Sequence, residues 1–207
     1  MAGSKERRPP APAPQQFGFE TYLSPKTFRY GSKGMREIWS QRRFWGAVRD
    51  IWIAAGETQH EVGLVTRGQL DDLRSNRDDL SVERIFELER QAGHDVAGSI
   101  AEFSEAAPLG GEILHQGMTS EDVLSNAEIM QIHEAFGIVR QKLVGTLSAF
   151  GNQIDSHKNL VCMGYTHLQA AEPTTMGYRF AKYAQDLLVD LGLLDIVKSL
   201  HLGARLH

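Results

Sequence analysis

Two polar segments far apart in the chain contain residue types that could do chemistry on an anionic small molecule. Residues 115–122 read His-Gln-Gly-Met-Thr-Ser-Glu-Asp, and residues 164–169 read Gly-Tyr-Thr-His-Leu-Gln. Each segment leads into a long apolar periodicity, so its hydroxyl, carboxylate and imidazole groups are expected at the start of a helix. Backbone N–H groups without partners and the helix dipole favour anions at such a position. The two segments therefore predict a site for a negatively charged substrate.

His167 is the first candidate for proton transfer. It lies between Thr166 and Gln169 in a polar segment, whereas an apolar stripe would indicate a core histidine. An imidazole with a pKa of about 6.5 can donate or accept a proton near neutrality, and the neighbouring hydroxyl and amide groups could fix its tautomer. A structural or surface histidine is the alternative. The setting favours a function in acid–base chemistry.

Thr119 and Ser120 have two interpretations. A Ser or Thr before a long helix is what N-capping alone would select. The functional interpretation is that the same helix N-terminus binds a substrate carboxylate. Both interpretations place the pair at the beginning of a long helix.

The composition and the absence of several known motifs argue against several classes of function. The 207 residues carry a net charge of -4, which gives no electrostatic footprint for nucleic acid or an acidic membrane surface. The single cysteine, Cys162, excludes an internal disulfide and suits a reducing compartment. No phosphate-binding glycine loop, dinucleotide fingerprint, cysteine pair or His-Glu-x-x-His motif occurs, so no metal or redox cofactor is implied. We predict a cytoplasmic protein with a small-molecule substrate and neither nucleic acid nor membrane as a partner.

The first half of the chain predicts short helices. Residues 1–18 are rich in Pro and Ala and predict a disordered tail. Apolar periodicities bounded by capping or breaking residues predict helices over residues 35–55, 66–73, 81–93 and 94–107. The first periodicity stops at Gly56, and Thr66 with Gln69 has the form of a capping box.

The second half predicts long helices. An apolar pattern without proline runs from Thr119 to Ile154, which corresponds to a helix about 50 Å long. After a connection over residues 157–172, Pro173 at a first-turn position predicts a second long helix through Val197. No segment alternates convincingly with period two, so we predict an all-α fold. A cluster of short helices over residues 19–112 would be followed by an incomplete bundle of long antiparallel helices over residues 113–207.

These long helices have apolar residues on more than one face. Burial in an oligomeric bundle would cover the faces of residues 123–154 and 180–197. A plain helical hairpin packed on the first half is the alternative.

Four segments together resemble motifs of the fumarase/aspartase lyase superfamily, and within it the adenylosuccinate lyase family. Besides the segments that contain Thr119-Ser120 and His167, the matches are His94-Asp95-Val96 and Ser24-Pro25 followed by Arg29-Tyr30. Their order and spacing match the N-terminal part of that family over residues 24–197.

The resemblance implies a β-elimination that releases fumarate from adenylosuccinate and from the succinylated imidazole carboxamide ribotide of purine biosynthesis. It implies that His167 is the general acid, which protonates the leaving nitrogen, and that His94 is a second catalytic residue supporting it. The substrate-binding residues implied by the resemblance are Arg29, Tyr30, His94, Asp95, His115, Thr119, Ser120, Thr166 and Gln169. The resemblance implies no cofactor, and it implies a homotetramer whose active sites take motifs from three subunits.

The family's base is a serine in a loop of the type Ser-Ser-x-Met-Pro-x-Lys-x-Asn-Pro, and the 207 residues contain no such sequence. We therefore expect a fragment, a truncated product or a paralogue, and an isolated chain without activity. The alternatives are a non-catalytic helical binding or assembly module and a sister lyase such as argininosuccinate lyase, which shares Thr166-His167-Leu168-Gln169.

Overall fold

The computed structural model describes residues 18–199, so the tail predicted over residues 1–18 lies, apart from Gly18, outside the described residues. Within this range the chain forms eight α-helices and one β-hairpin. The elements are α1 Pro25–Tyr30, α2 Lys33–Ile38, α3 Gln41–Glu61, α4 Arg67–Ser75, α5 Val82–Ala92, α6 Asp95–Ala106, α7 Ser120–His157, β1 Val161–Thr166, β2 Gln169–Thr175 and α8 Met176–Ser199. The predicted all-α class is confirmed, with the hairpin as a small addition to it.

The predicted helix over residues 35–55 is wrong at both ends. Trp39 and Ser40 separate α2 from α3, and the Ser40 hydroxyl accepts a hydrogen bond from the Arg43 N–H at 3.1 Å. The apolar residues before and after this break keep one helical spacing, so the sequence pattern does not indicate the break. Gly56 does not end the helix, because α3 continues to Glu61 and buries Gly56 against Ile113 and Leu70.

Capping residues begin α4 and α5 as predicted, whereas α4 continues past its predicted end at Leu73 to Ser75. The Thr66 N–H donates to the Gln69 side-chain oxygen at 3.0 Å, which completes the predicted capping box. Helix α5 ends at Gly93, whose φ of 69° is left-handed and suits glycine. Helix α6 follows directly, with His94 as its N-cap.

The core lies around α3. Its cluster of buried apolar side chains comes from α3 to α6 and from the beginning of α7, and includes Trp45, Val48, Trp52, Leu73, Ile85, Phe103, Val123 and Ala127. A fully buried Arg49 donates to the Glu102 carboxylate at 2.6 Å and to the carbonyl oxygens of Asn76 and Arg77. This cation therefore joins α3, α6 and the segment between α4 and α5.

Helix α7 connects the core to the rest of the molecule. Its 38 residues correspond to about 57 Å, and it packs against α2, α3 and α8. Val123 and Ala127 are fully buried within the chain, so the prediction that the whole face of residues 123–154 is covered by a second chain is wrong at its beginning. Because the first turns of α7 belong to the same core as α3 to α6, the domain boundary at residue 112 stays a prediction.

Apolar side chains further along α7 and on α8 are exposed in the single chain. They include Val139, Val144, Leu188, Val189, Leu193, Ile196 and Val197. None of the helices between residues 18 and 199 has the length and apolar content needed to cross a membrane.

A β-hairpin, and not a loop followed by a helix, occupies residues 161–175. Strand β1 pairs antiparallel with β2, and Pro173 lies opposite Met163 in this ladder, so the prediction that Pro173 begins a helix is wrong. Both strands are mostly exposed. With no face buried, the hairpin carries no period-two signal in its sequence.

Candidate active site

Helices α6 and α7 begin side by side, and their first residues form a series of polar contacts. The Ser120 hydroxyl lies 3.4 Å from His94 Nε2, and His94 Nδ1 lies 3.2 Å from the Asp95 carboxylate. The Asp95 carboxylate also accepts a hydrogen bond from the Val96 N–H at 2.7 Å, and the tautomer of His94 decides whether Nε2 accepts from Ser120 or donates to it. The series could hold or pass on a proton at the position where two helix N-termini favour an anion.

His115 lies on the neighbouring loop and has an unusual backbone. Its φ of 63° is in the left-handed region, which is strained for a residue other than glycine. Its Nδ1 accepts a hydrogen bond from the indole Nε1–H of Trp52 at 3.2 Å. Burial lowers the pKa of His115 below its ordinary value of 6.5; the Asp122 carboxylate opposes this effect and His94 adds to it. Burial therefore favours the neutral imidazole.

Asp122 fixes the first turn of α7. It is 2% exposed, and its carboxylate accepts a hydrogen bond from the Thr119 N–H at 2.8 Å. This is the N-terminal cap that the sequence predicts. It holds the exposed Thr119 beside Ser120 at the helix end.

The structure does not bring Arg29 and Tyr30 to this cluster. They form the end of α1, and Tyr30 is 83% exposed. The following helix, α2, packs near Ile138, midway along α7. Within residues 18–199 Arg29 has no ion pair, so its guanidinium is available to an anionic ligand.

Thr166, His167 and Gln169 lie at the tip of the hairpin. Thr166 and Gln169 are its last paired residues, and His167 and Leu168 form the two-residue turn, with φ of 48° and 64°. Positive φ at both central residues is typical of the type I′ turn. His167 is exposed and makes no hydrogen bond within the part of the chain that the structure describes, so its neighbours do not fix its tautomer.

His167 is remote from the Ser120 cluster of the same chain. The two sites are separated by the 38 residues of α7. The hairpin packs against α8, and Tyr165 and Arg179 line a cavity of about 430 Å³ between these two elements. The ten residues from His157 to His167 span at most about 33 Å, so even a chain that folds fully back along α7 leaves about 25 Å between Thr119 and His167.

Comparison with known proteins identifies the family. A family model described as lyase matches residues 22–204. The chain belongs to this lyase family. Relatives of this lyase chain include the adenylosuccinate lyase of Schistosoma mansoni, which is 35% identical over 182 residues, covering 87% of this chain and 38% of the relative. That of Saccharomyces cerevisiae is 31% identical over 177 residues, covering 84% of this chain and 37% of the relative.

Solved structures share the fold of this lyase chain. The β-carboxy-cis,cis-muconate cycloisomerase of Acinetobacter calcoaceticus sp. ADP1 has a TM-score of 0.73 at 24% identity, over 84% of this chain and 42% of that one. The fumarate lyase of Mesorhizobium sp. BNC1 has a TM-score of 0.72 at 22% identity, over 79% and 39% respectively. The lyase chain thus spans less than half the length of each of these proteins.

Two residues of the lyase chain's candidate site were not singled out from the sequence. Trp52 belongs to the apolar stripe of α3, and Asp122 is the last residue of the polar segment 115–122. Neither position carries a local signal of its contact with His115. Only the packing of α3 against the loop before α7 places the Trp52 indole on that imidazole.

The lowered pKa of His115 makes stability depend on pH. Between the pKa of His115 in the folded chain and its ordinary value of 6.5, the unfolded chain binds more protons than the folded chain does. The free energy of unfolding therefore rises with pH in this window and decreases as the pH falls through it. We expect the difference in unfolding free energy between the wild type and His115→Gln to be constant above about pH 8 and to decrease below about pH 6.5. Urea titrations at several pH values measure it. A difference that stays constant down to about pH 5 would contradict the burial effect.

Proposed function

We propose that this chain supplies the acid and substrate-binding half of an adenylosuccinate lyase. The reaction is the β-elimination of fumarate from adenylosuccinate and from the succinylated imidazole carboxamide ribotide. The observation that carries the proposal is the contact of Ser120 with His94 at the paired N-termini of α6 and α7, in a chain whose relatives include adenylosuccinate lyases. The cytoplasm is the proposed compartment.

The proposed roles follow the chemistry of the elimination. A base takes the proton from the succinyl carbon beside a carboxylate, the electron pair forms the double bond of fumarate, and the C–N bond breaks. Thr119 and Ser120 bind the departing dicarboxylate, where two helix N-termini stabilise negative charge. His167 protonates the amine nitrogen as general acid, with His94 in support. The base is not assigned to a residue of this chain.

The remaining predicted residues surround the rest of the substrate, and Arg29 and Tyr30 bind its nucleotide part. Arg29 suits a phosphate, since its guanidinium donates in a planar fork, and Tyr30 offers an exposed aromatic face. By the family resemblance Asp95 is near the nucleotide and His115 is near the dicarboxylate, and Thr166 and Gln169 flank the acid at the hairpin tip.

A homo-oligomer, a tetramer by family resemblance, is proposed because one chain cannot complete the site. At least about 25 Å separates Thr119 from His167 within the chain, which is too far for both to touch one small substrate. The exposed apolar side chains of α7 and α8 give the surface through which further copies would pack. His167 of one copy would then meet the Ser120 cluster of another.

A chimera tests the function. This chain replaces the matching segment of the Saccharomyces cerevisiae adenylosuccinate lyase, with which it is 31% identical over 177 residues. We expect the chimera to release fumarate from adenylosuccinate, and the 207 residues alone to release none. A folded chimera that cleaves argininosuccinate instead would favour the sister lyase, and one that binds adenylosuccinate without turnover would favour the binding module.

Complementation tests the shared site within that chimera. Ser120→Ala and His167→Asn are each expected to lower activity strongly when expressed alone. Co-expression of the two variants should restore activity, because some mixed sites combine an intact Ser120 with an intact His167. Mixed oligomers that form without any recovery would contradict the shared site.

A further inference from the structure

The hydrogen bond between Trp52 and His115 determines which nitrogen of the imidazole carries its proton. An indole N–H only donates, so His115 Nδ1, at 3.2 Å from it, must offer a lone pair. The proton of the neutral ring is then on Nε2. This assignment of the tautomer depends only on the fact that the atom facing Nδ1 is a donor.

The donor is held firmly in place. Trp52 is 2% exposed and stacks on the fully buried Phe103, with ring centroids 6.3 Å apart. Its ring meets that of His115 at 86°, edge to face. On the other side the Gln59 side chain donates to the Gln116 carbonyl oxygen at 3.3 Å, which ties the loop to α3. These contacts hold the Trp52 and His115 rings in their orientations.

The opposite nitrogen is available to a ligand. His115 Nε2 makes no hydrogen bond within residues 18–199, and it is not among the fully buried polar atoms that lack a partner, which are Arg49 Nε and Ser99 Oγ. It is therefore not fully buried. The titratable groups that act on the ring are Asp122 on α7 and His94 at the start of α6.

We propose that Trp52 is a positioning residue that holds His115 as the Nε2–H tautomer, so that His115 donates a hydrogen bond to an anionic oxygen of the substrate. Burial lowers the pKa of the ring and reinforces the neutral form. The anion is then bound by neutral donors and helix N-termini, without a protonated histidine. The identity of the substrate rests on the proposed function, whereas the tautomer does not.

The tautomer is measured on the 207-residue chain with ¹⁵N-labelled histidine. We expect His115 to show a protonated Nε2 and an unprotonated Nδ1 at pH 7. Trp52→Phe keeps an aromatic ring but removes the donor, and should give a mixture of tautomers. The matched control is Trp45→Phe on the same helix: Trp45 is also buried, and its indole donates to Gln41 at 3.2 Å. The control should keep the wild-type pattern.

Two outcomes would overturn the tautomer assignment: a protonated Nδ1 in the wild type, or an unchanged pattern in Trp52→Phe. The wild-type spectrum alone decides the first, even if Trp52→Phe does not fold.

Ligand titration tests the donation from Nε2. Fumarate offers only carboxylates and AMP offers a phosphate, so the ligand that shifts the Nε2 resonance identifies the oxygen. No shift with either would overturn the donation.

The positioning role of Trp52 is also tested by the kinetics of the chimera. Trp52→Phe should lower kcat/KM for adenylosuccinate about 2- to 10-fold, the range for loss of one hydrogen bond, and Trp45→Phe should leave it unchanged. Equal effects of the two substitutions would overturn the positioning role. An inactive parent chimera would count against the proposed function and leave the spectra as the test of the tautomer.

Discussion

Replacement of His167 by Asn in the chimera is expected to lower kcat by about 10²- to 10⁴-fold, with little change in KM. Without the imidazole no group protonates the leaving nitrogen, so the loss falls on the transition state. Asn is the suitable replacement because it tolerates a positive φ, and His167 has a φ of 48°. Steady-state release of fumarate from adenylosuccinate measures both constants.

The neighbouring turn residue provides a control. Leu168 is fully exposed and also left-handed, with a φ of 64°. Leu168→Asn changes the turn without removing the imidazole and is expected to leave kcat close to that of the parent. An unchanged kcat in His167→Asn would show that the imidazole is not the acid.

Replacement of Arg49 by Leu is expected to lower the free energy of unfolding by about 3–5 kcal/mol, because it leaves a buried carboxylate unpaired. Glu102 is 4% exposed and pairs with Arg49 at 2.6 Å. The substitution also removes the donor to the carbonyl oxygens of Asn76 and Arg77. Urea denaturation at neutral pH measures the loss.

An exposed ion pair that also involves α6, here with α5, is the matched control. Arg84 pairs with Glu105 on α6 at 2.7 Å, but its side chain is 39% exposed. Arg84→Leu is expected to change stability much less, since water screens an exposed pair and solvates the carboxylate left behind. Equal losses for the two substitutions would contradict the importance of burial. Because α6 begins at the candidate site, Arg49→Leu should also disturb the contact of His94 with Ser120.

The sequence by itself determined the features that depend on neighbours along the chain. Ser81 and the capping box at Thr66 set helix starts, Gly93 ended α5, and the uninterrupted apolar pattern after Thr119 specified α7. These signals are local, because capping and helical periodicity act over a few residues. The same locality explains the two errors. The break at Ser40 keeps the helical spacing of the apolar residues, and the hairpin that contains Pro173 has no buried face, so neither feature changes the periodicity of the sequence.

Tertiary structure alone decided which candidate residues meet. Packing of α3 against α6, fixed by Arg49 and Glu102, sets the start of α6 beside the start of α7, so His94 reaches Ser120. It also places the Trp52 indole, which the sequence presents as one more apolar side chain, on His115. The length of α7 keeps His167 away from both. Contacts between residues distant in sequence depend on how whole helices pack, and no local pattern encodes that packing.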